Sequence, residues 1–115
     1  MDEVSVASRH TILTASEGPT AEVINPAGSA PICLVCEHAS DFIPASLNDL
    51  GVAPEHRQSH AAWDIGGSDL SVALAKKLDA PLVASRVSRL VYDCNRPPSA
   101  PDAIPAKSEV IDIPG

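Results

Sequence analysis

A chain of 115 residues, 44% hydrophobic but only 3% aromatic, suffices for one domain with a core of Val, Leu, Ile and Ala, the material of helix-on-sheet layers. Its formal charge of -7 excludes a nucleic-acid backbone as partner, since that needs a basic face. No apolar stretch nears the ~20 residues of a membrane span, the start Met1-Asp2-Glu3 is no basic leader, and cysteines at 33, 36 and 94 make no disulfide framework; a soluble, cytoplasmic protein is expected.

Residues 1–20 mix Ser, Thr, Glu and small residues without a period and read as an N-terminal arm, leaving 21–115 as the domain. Residues 21–24 are a candidate edge strand ahead of the turn Asn25-Pro26-Ala27-Gly28. Residues 31–36 form a continuous apolar run, as in a strand covered on both faces, and end abruptly in Glu37-His38-Ala39-Ser40-Asp41. Cys33-x-x-Cys36 has the redox spacing, but inside such a run both residues read as buried structural thiols rather than a thiol redox centre.

Residues 46–50 read as one helical turn ended by Gly51, and Pro54 opens a second helical segment running toward Trp63. Beyond the corner Asp64-Ile65-Gly66-Gly67, Ser68 or Asp69 is expected to cap the clearest helix, where Leu70, Leu74 and Leu78 recur every four residues and Lys76 and Lys77 face water. Residues 82–84 and 90–92 are further strand candidates, so that strand, helical connection and strand make a β-α-β unit. Prolines at 97, 98, 101 and 105 keep the chain extended, and Val110, Ile111 and Ile113 are left without an element to pack on.

Two clusters carry chemistry. His38 follows a strand directly, beside Glu37 and Asp41, and imidazole and carboxylate donors at a strand's carboxyl end suit Zn²⁺, although a single loop histidine is also an ordinary surface residue. Asp64 either turns a carboxylate back to the same sheet edge or serves as a turn aspartate. His56 and His60 stand four apart but read as solvated, because no His-Glu-x-x-His pattern joins them. The second cluster, Arg89, Asp93, Asn95 and Arg96, brackets residues 90–92; it either holds an anionic substrate where open α/β sheets bind ligands or forms a rim ion-pair network.

Together, Cys36-Glu37-His38-Ala39-Ser40 with Ile43-Pro44, Trp63-Asp64-Ile65-Gly66, the Leu-rich helix ending in Ala80-Pro81, and Ser88-Arg89-Leu90-Val91-Tyr92-Asp93-x-Asn95-Arg96 resemble the N-formylglutamate amidohydrolase family over about residues 22–115. That family is similar to zinc carboxypeptidases and the aspartoacylase group. The resemblance implies an α/β fold, a partial mixed sheet of the zinc-carboxypeptidase-like (phosphorylase/hydrolase-like) three-layer kind. It implies a bound Zn²⁺ and hydrolysis of N-formyl-L-glutamate, or a similar N-acyl amino acid, to formate and L-glutamate. Carried onto this sequence, His38 is a metal ligand and Asp64 a second ligand or site-shaping acid, a place for which Asp41 and Glu37 compete. Arg89 stands next to the scissile carbonyl as the catalytic residue, and Asn95 and Arg96 hold the carboxylate of a small-molecule substrate. Family members are longer, so a third zinc ligand and a general base are expected outside these residues, and the 115-residue chain is expected to be truncated and inactive or nearly so. The rival reading is a non-enzymatic module binding an acidic metabolite through Arg89 and Arg96 without metal. The oligomeric state is left open.

Overall fold

The computed structural model describes residues 11–108 and 111–114. Three short strands, β1 (Ala21–Ile24), β2 (Leu34–Cys36) and β3 (Leu82–Ser85), form a mixed sheet in the order β1-β3-β2. β2 and β3 run parallel with Val35 opposite Val83, and β1 lies antiparallel with Val23 opposite the same Val83. Parallel pairing of β2 and β3 across a helical crossover is the expected β-α-β unit, and β1 is the expected edge strand. The strand read at 31–36 is shorter than its apolar run, starting only at Leu34, so Cys33 is exposed while Cys36 is buried. Cys33 is therefore not the buried thiol expected from the sequence.

The crossover holds a one-turn helix, α1 (Pro54–Arg57), and a 12-residue helix, α2 (Gly67–Leu78). Neither Ser68 nor Asp69 caps α2: its N-cap is Gly66, held at φ +81, and no side chain bonds there. Nor does the leucine stripe face the core, since Leu70, Leu74 and Leu78 are 63%, 40% and 47% exposed. The reason lies in the partners. Cys36, Ala84 and the larger Leu82 form the surface beneath α2, which comes down on it through Ala75, 1% exposed, with half-buried Ser68 and Ser71 on the same flank. A flank of small residues allows closer approach than one of leucines, and it stands at an angle to the leucine stripe.

A second cluster, Ile43, Leu50, Val52, Ala62, Leu90 and Ile113, packs with half-buried Leu47, Trp63 and Val91. It corrects two expectations. Residues 90–92 form no strand, and 89–91 are a turn: the Leu90 N–H donates to the Ser88 hydroxyl at 3.1 Å and the Val91 N–H to the Ser88 carbonyl at 3.1 Å, which curls the backbone and drops Leu90 into the core. Ile113, expected to be unpartnered, is 7% exposed within this cluster, and its N–H donates to the Ala106 carbonyl at 2.8 Å. A two-residue hairpin, β4 (Lys107–Ser108) with β5 (Ile111–Asp112), brings it back; Val110 lies outside the described residues. The turn expected at 46–50 is a 3-10 segment, Ala45–Gly51, in which Asn48, Asp49 and Leu50 adopt left-handed angles.

Residues 11–20 lie against the domain: the Ser46 hydroxyl donates to the Ile12 carbonyl at 2.7 Å, the Ala45 N–H to Glu17 at 3.0 Å, and Arg86 Nη1 to the carbonyls of Glu17 and Pro19 at 3.1 and 3.0 Å. Beyond β1 the chain passes so close to the end of α2 that a Cβ on Gly28 would lie 2.8 Å from the Asp79 carbonyl oxygen. Asp79 ties that turn down, accepting from the Ser29 hydroxyl at 2.7 Å and from Asn25 Nδ2 at 3.1 Å, bonds that hold its carboxyl below the usual range. No helix among the described residues is long and apolar enough to cross a membrane.

Candidate active site

The site forms where β2 ends and three loops meet. Cys36 closes the strand and His38, itself 9% exposed, follows in a turn. Two backbone bonds draw the other segments in. The Asp64 N–H donates to the His38 carbonyl at 2.9 Å, which brings the Trp63-Asp64 corner alongside the imidazole, and the Ser88 N–H donates to the Phe42 carbonyl at 2.7 Å. Ser88 is fully buried, and its hydroxyl donates to the Ala62 carbonyl at 2.7 Å while accepting the Leu90 N–H. One serine thus fastens the loops after β2, before α2 and after β3, and launches the turn that delivers Asp93.

Asp93 is the hub. It is 3% exposed, and its Oδ1 lies 2.7 Å from His38 Nε2. The same oxygen accepts the Asn95 N–H at 2.9 Å, and Oδ2 accepts Arg89 Nη2 at 3.3 Å. Burial pushes the Asp93 carboxyl up, but the His38 hydrogen bond, the Asn95 N–H and the neighbouring positive groups outweigh it, and the net direction is down. An ionised carboxylate only accepts, so His38 Nε2 is the donor of this bond, and in the neutral form of the ring Nδ1 keeps its lone pair. That lone pair is on the side of Asp64, whose Oδ1 is 3.6 Å from Nδ1, beyond hydrogen-bond distance.

This separation bears on metal binding. Donors ~2.0–2.1 Å from a tetrahedral zinc ion lie roughly 3.4 Å apart, close to the 3.6 Å between His38 Nδ1 and Asp64 Oδ1. A carboxylate on the far ring nitrogen is the arrangement that orients metal-bound histidines. The pair therefore fits two corners of a zinc site. Asp93 cannot supply a third, because it occupies the opposite edge of the ring, and among the described residues no group of three or more His, Cys, Asp or Glu could hold an ion. No ion pair joins Glu37 or Asp41 to His38 among the described residues.

Of the residues singled out in the sequence, His38 and Arg89 meet on Asp93, Asp64 stands at the other edge of the His38 ring, and Asn95 joins through its backbone. The Arg96 guanidinium is engaged elsewhere, with Nε on Asp102 at 3.0 Å, although its N–H closes a turn onto the Asp93 carbonyl at 3.1 Å. Sequence reasoning placed Asp93 in the charged cluster, either holding substrate or pairing with Arg89 as it does here, but did not pair it with His38, and it gave Ser88 no role. His38 lies 55 residues away from Asp93, and local pattern cannot pair residues across that distance.

With this geometry in place, likeness to known proteins becomes informative. Residues 30–115 match the family model described as N-formylglutamate amidohydrolase. The chain belongs to the N-formylglutamate amidohydrolase family. This is a family of hydrolases, and all the site residues named above fall within the matched span. The crystal structure of gene product Atu2144 from Agrobacterium tumefaciens is similar at a TM-score of 0.88 and 49% identity, over 95% of this chain and 42% of that one. The chain thus spans less than half the length of that relative. No curated protein matches significantly.

Proposed function

We propose that His38 and Asp64 are two of the ligands of a catalytic zinc ion in an amidohydrolase acting on N-formyl-L-glutamate or a close N-acyl amino acid. The observation that carries this reading is the Asp93–His38 contact of 2.7 Å, which turns a free imidazole nitrogen toward Asp64. When bound, zinc would lower the pKa of a water to about 7 and polarise the amide oxygen. The chain's own residues do the rest. Asp93 keeps the proton on His38 Nε2 and fixes the ring's direction. Arg89 spends one Nη on Asp93 and has further donors for the oxygen of the scissile amide, where charge develops as the carbonyl becomes tetrahedral.

Arg96 and the Asn95 side chain would grip the substrate's carboxylate, the guanidinium by two parallel hydrogen bonds. To do so Arg96 must leave Asp102. That exchange costs little: the Asp102 side chain is 61% exposed, and exposed pairs are worth ~0–1 kcal/mol. A third ligand and a general base would come from residues outside these 115.

A chimera tests the reading: this chain replaces its counterpart in Atu2144, and formate release from N-formyl-L-glutamate is followed with zinc content. We expect about one zinc per chain and formate release, both lost in His38→Ala. A folded chimera that holds zinc through His38 yet hydrolyses no N-acyl amino acid would refute the assigned reaction. One holding no zinc would refute the metal site.

A further inference from the structure

We infer that the polar cavity at the carboxyl ends of β2 and β3 binds a free α-amino acid in its zwitterionic form. The cavity measures about 530 Å³ and lies where the loop after β2 (Ala39, Ser40), the end of β3 (Arg86), the first turn of α2 (Ser68), β1 (Glu22) and the arm (Glu17) meet. That is the size of a small-molecule site, at the end of the sheet where open α/β proteins hold ligands. Its charges are arranged for a dipolar molecule. Arg86 spends Nη1 on the carbonyls of Glu17 and Pro19, at 3.1 and 3.0 Å, which fixes the guanidinium and leaves its Nε and Nη2 N–H groups without a partner among the described residues. Those are the parallel pair that fits a carboxylate.

Two glutamates line the same cavity, and only one has a carboxylate to offer. Glu17 accepts the Ala45 N–H at 3.0 Å and the Thr14 N–H at 2.9 Å, bonds that hold its carboxyl below the usual range. The Glu22 carboxylate has no partner among the described residues, so it is not paired with Arg86 either. An arginine edge and a carboxylate that share a cavity without pairing select the occupant by sign. A plain anion is repelled by Glu22 and a plain amine by Arg86, while a molecule carrying both charges satisfies each. Hydroxyls complete the wall: Ser40 accepts the Phe42 N–H at 3.0 Å and keeps its own hydrogen to donate, and Ser68 stands in the uncapped first turn of α2, which favours the ligand's negative end. Ala39 and Ser40 directly follow His38, so the cavity adjoins the candidate active site. Hydrolysis of an N-acyl amino acid turns an uncharged amide nitrogen into an ammonium; on that reading of the function, on which this last step rests, the cavity receives the product and not the substrate.

The test is NMR of the ¹⁵N-labelled 115-residue chain titrated with L-glutamate. Glutarate and N-formyl-L-glutamate, which lack the ammonium, and propylamine, which lacks the carboxylate, serve as controls. We expect L-glutamate at millimolar concentration to move the Arg86 Nε–H signal and the Ser40 and Ser68 amides, and each control to act there at least tenfold more weakly. Glu22→Gln, at an exposed position whose side chain has no partner among the described residues, should leave the melting point unchanged and weaken L-glutamate at least tenfold. No response to L-glutamate at these signals, an equal response to any control, or full affinity in Glu22→Gln would overturn the inference. None of these outcomes bears on the proposed hydrolysis, which formate release and zinc content of the chimera decide.

Discussion

Asp93→Asn keeps the side chain's shape and removes its charge. In the wild type Oδ1 serves His38 and the Asn95 N–H while Oδ2 serves Arg89. A carboxamide cannot accept at both positions: with its oxygen toward His38 it sets an NH₂ against Arg89, and reversed it sets that NH₂ against the Asn95 N–H. Breaking a buried charge pair costs ~3–5 kcal/mol, a large part of the ~5–15 kcal/mol that holds a domain together. Urea unfolding should therefore shift its midpoint down by roughly 2 M at a slope of about 2 kcal/mol per M. The sign with pH follows from the depressed carboxyl of Asp93. Its stabilisation is complete above the unfolded-state pKa of about 4 and disappears as pH falls through the lower folded value. The gap between wild type and Asp93→Asn should thus close in acid. An unchanged midpoint at pH 7, or a gap that stays constant down to pH 2, would refute the claim that Asp93 is an ionised hub.

The remaining predictions concern positions whose surroundings are equally defined. Ser88→Ala strips the Ala62 carbonyl and the Leu90 N–H of their buried partner and should cost ~1–3 kcal/mol by urea unfolding; a loss under 0.5 kcal/mol would show the loops are fastened by other means. Gly28→Ala forces a methyl against the backbone at Asp79, Ala80 and Pro81 and should destabilise by ~1–3 kcal/mol, seen as a lower Tm; an unchanged Tm would mean the turn moves freely. Arg96→Lys in the Atu2144 chimera should raise KM at least tenfold with a smaller change in kcat, because a point-charge ammonium cannot replace the two-pronged grip; an unchanged KM would remove Arg96 from the substrate's carboxylate.

What the sequence made legible was whatever depends on neighbours in the chain. The edge strand at 21–24, the buried end of β2 at Cys36 and the α2 helix all follow from runs of a few residues, and parallel pairing of β2 with β3 follows from the length of chain between them. What it hid depends on distant partners. Leu90, Val91 and Tyr92 have the composition of a strand, yet a buried serine two residues earlier captures the backbone and makes a turn. The leucine period of α2 marks an apolar stripe correctly, but not which flank meets the sheet, since that is set by the surface of Cys36, Leu82 and Ala84 across the interface. In the site, His38 and Asp64 were legible as metal-donor types. The carboxylate that aims His38 was not, because Asp93 reaches it from the far side of the β-α-β unit.

The most direct test of the account is a Zn²⁺ titration of the ¹⁵N-labelled chain with the ring nitrogens of His38 observed. The account predicts that Nδ1 loses its free-lone-pair shift on metal addition while Nε2 keeps its proton and its bond to Asp93. A response at Nε2, or one at His56 or His60 with His38 silent, would contradict it.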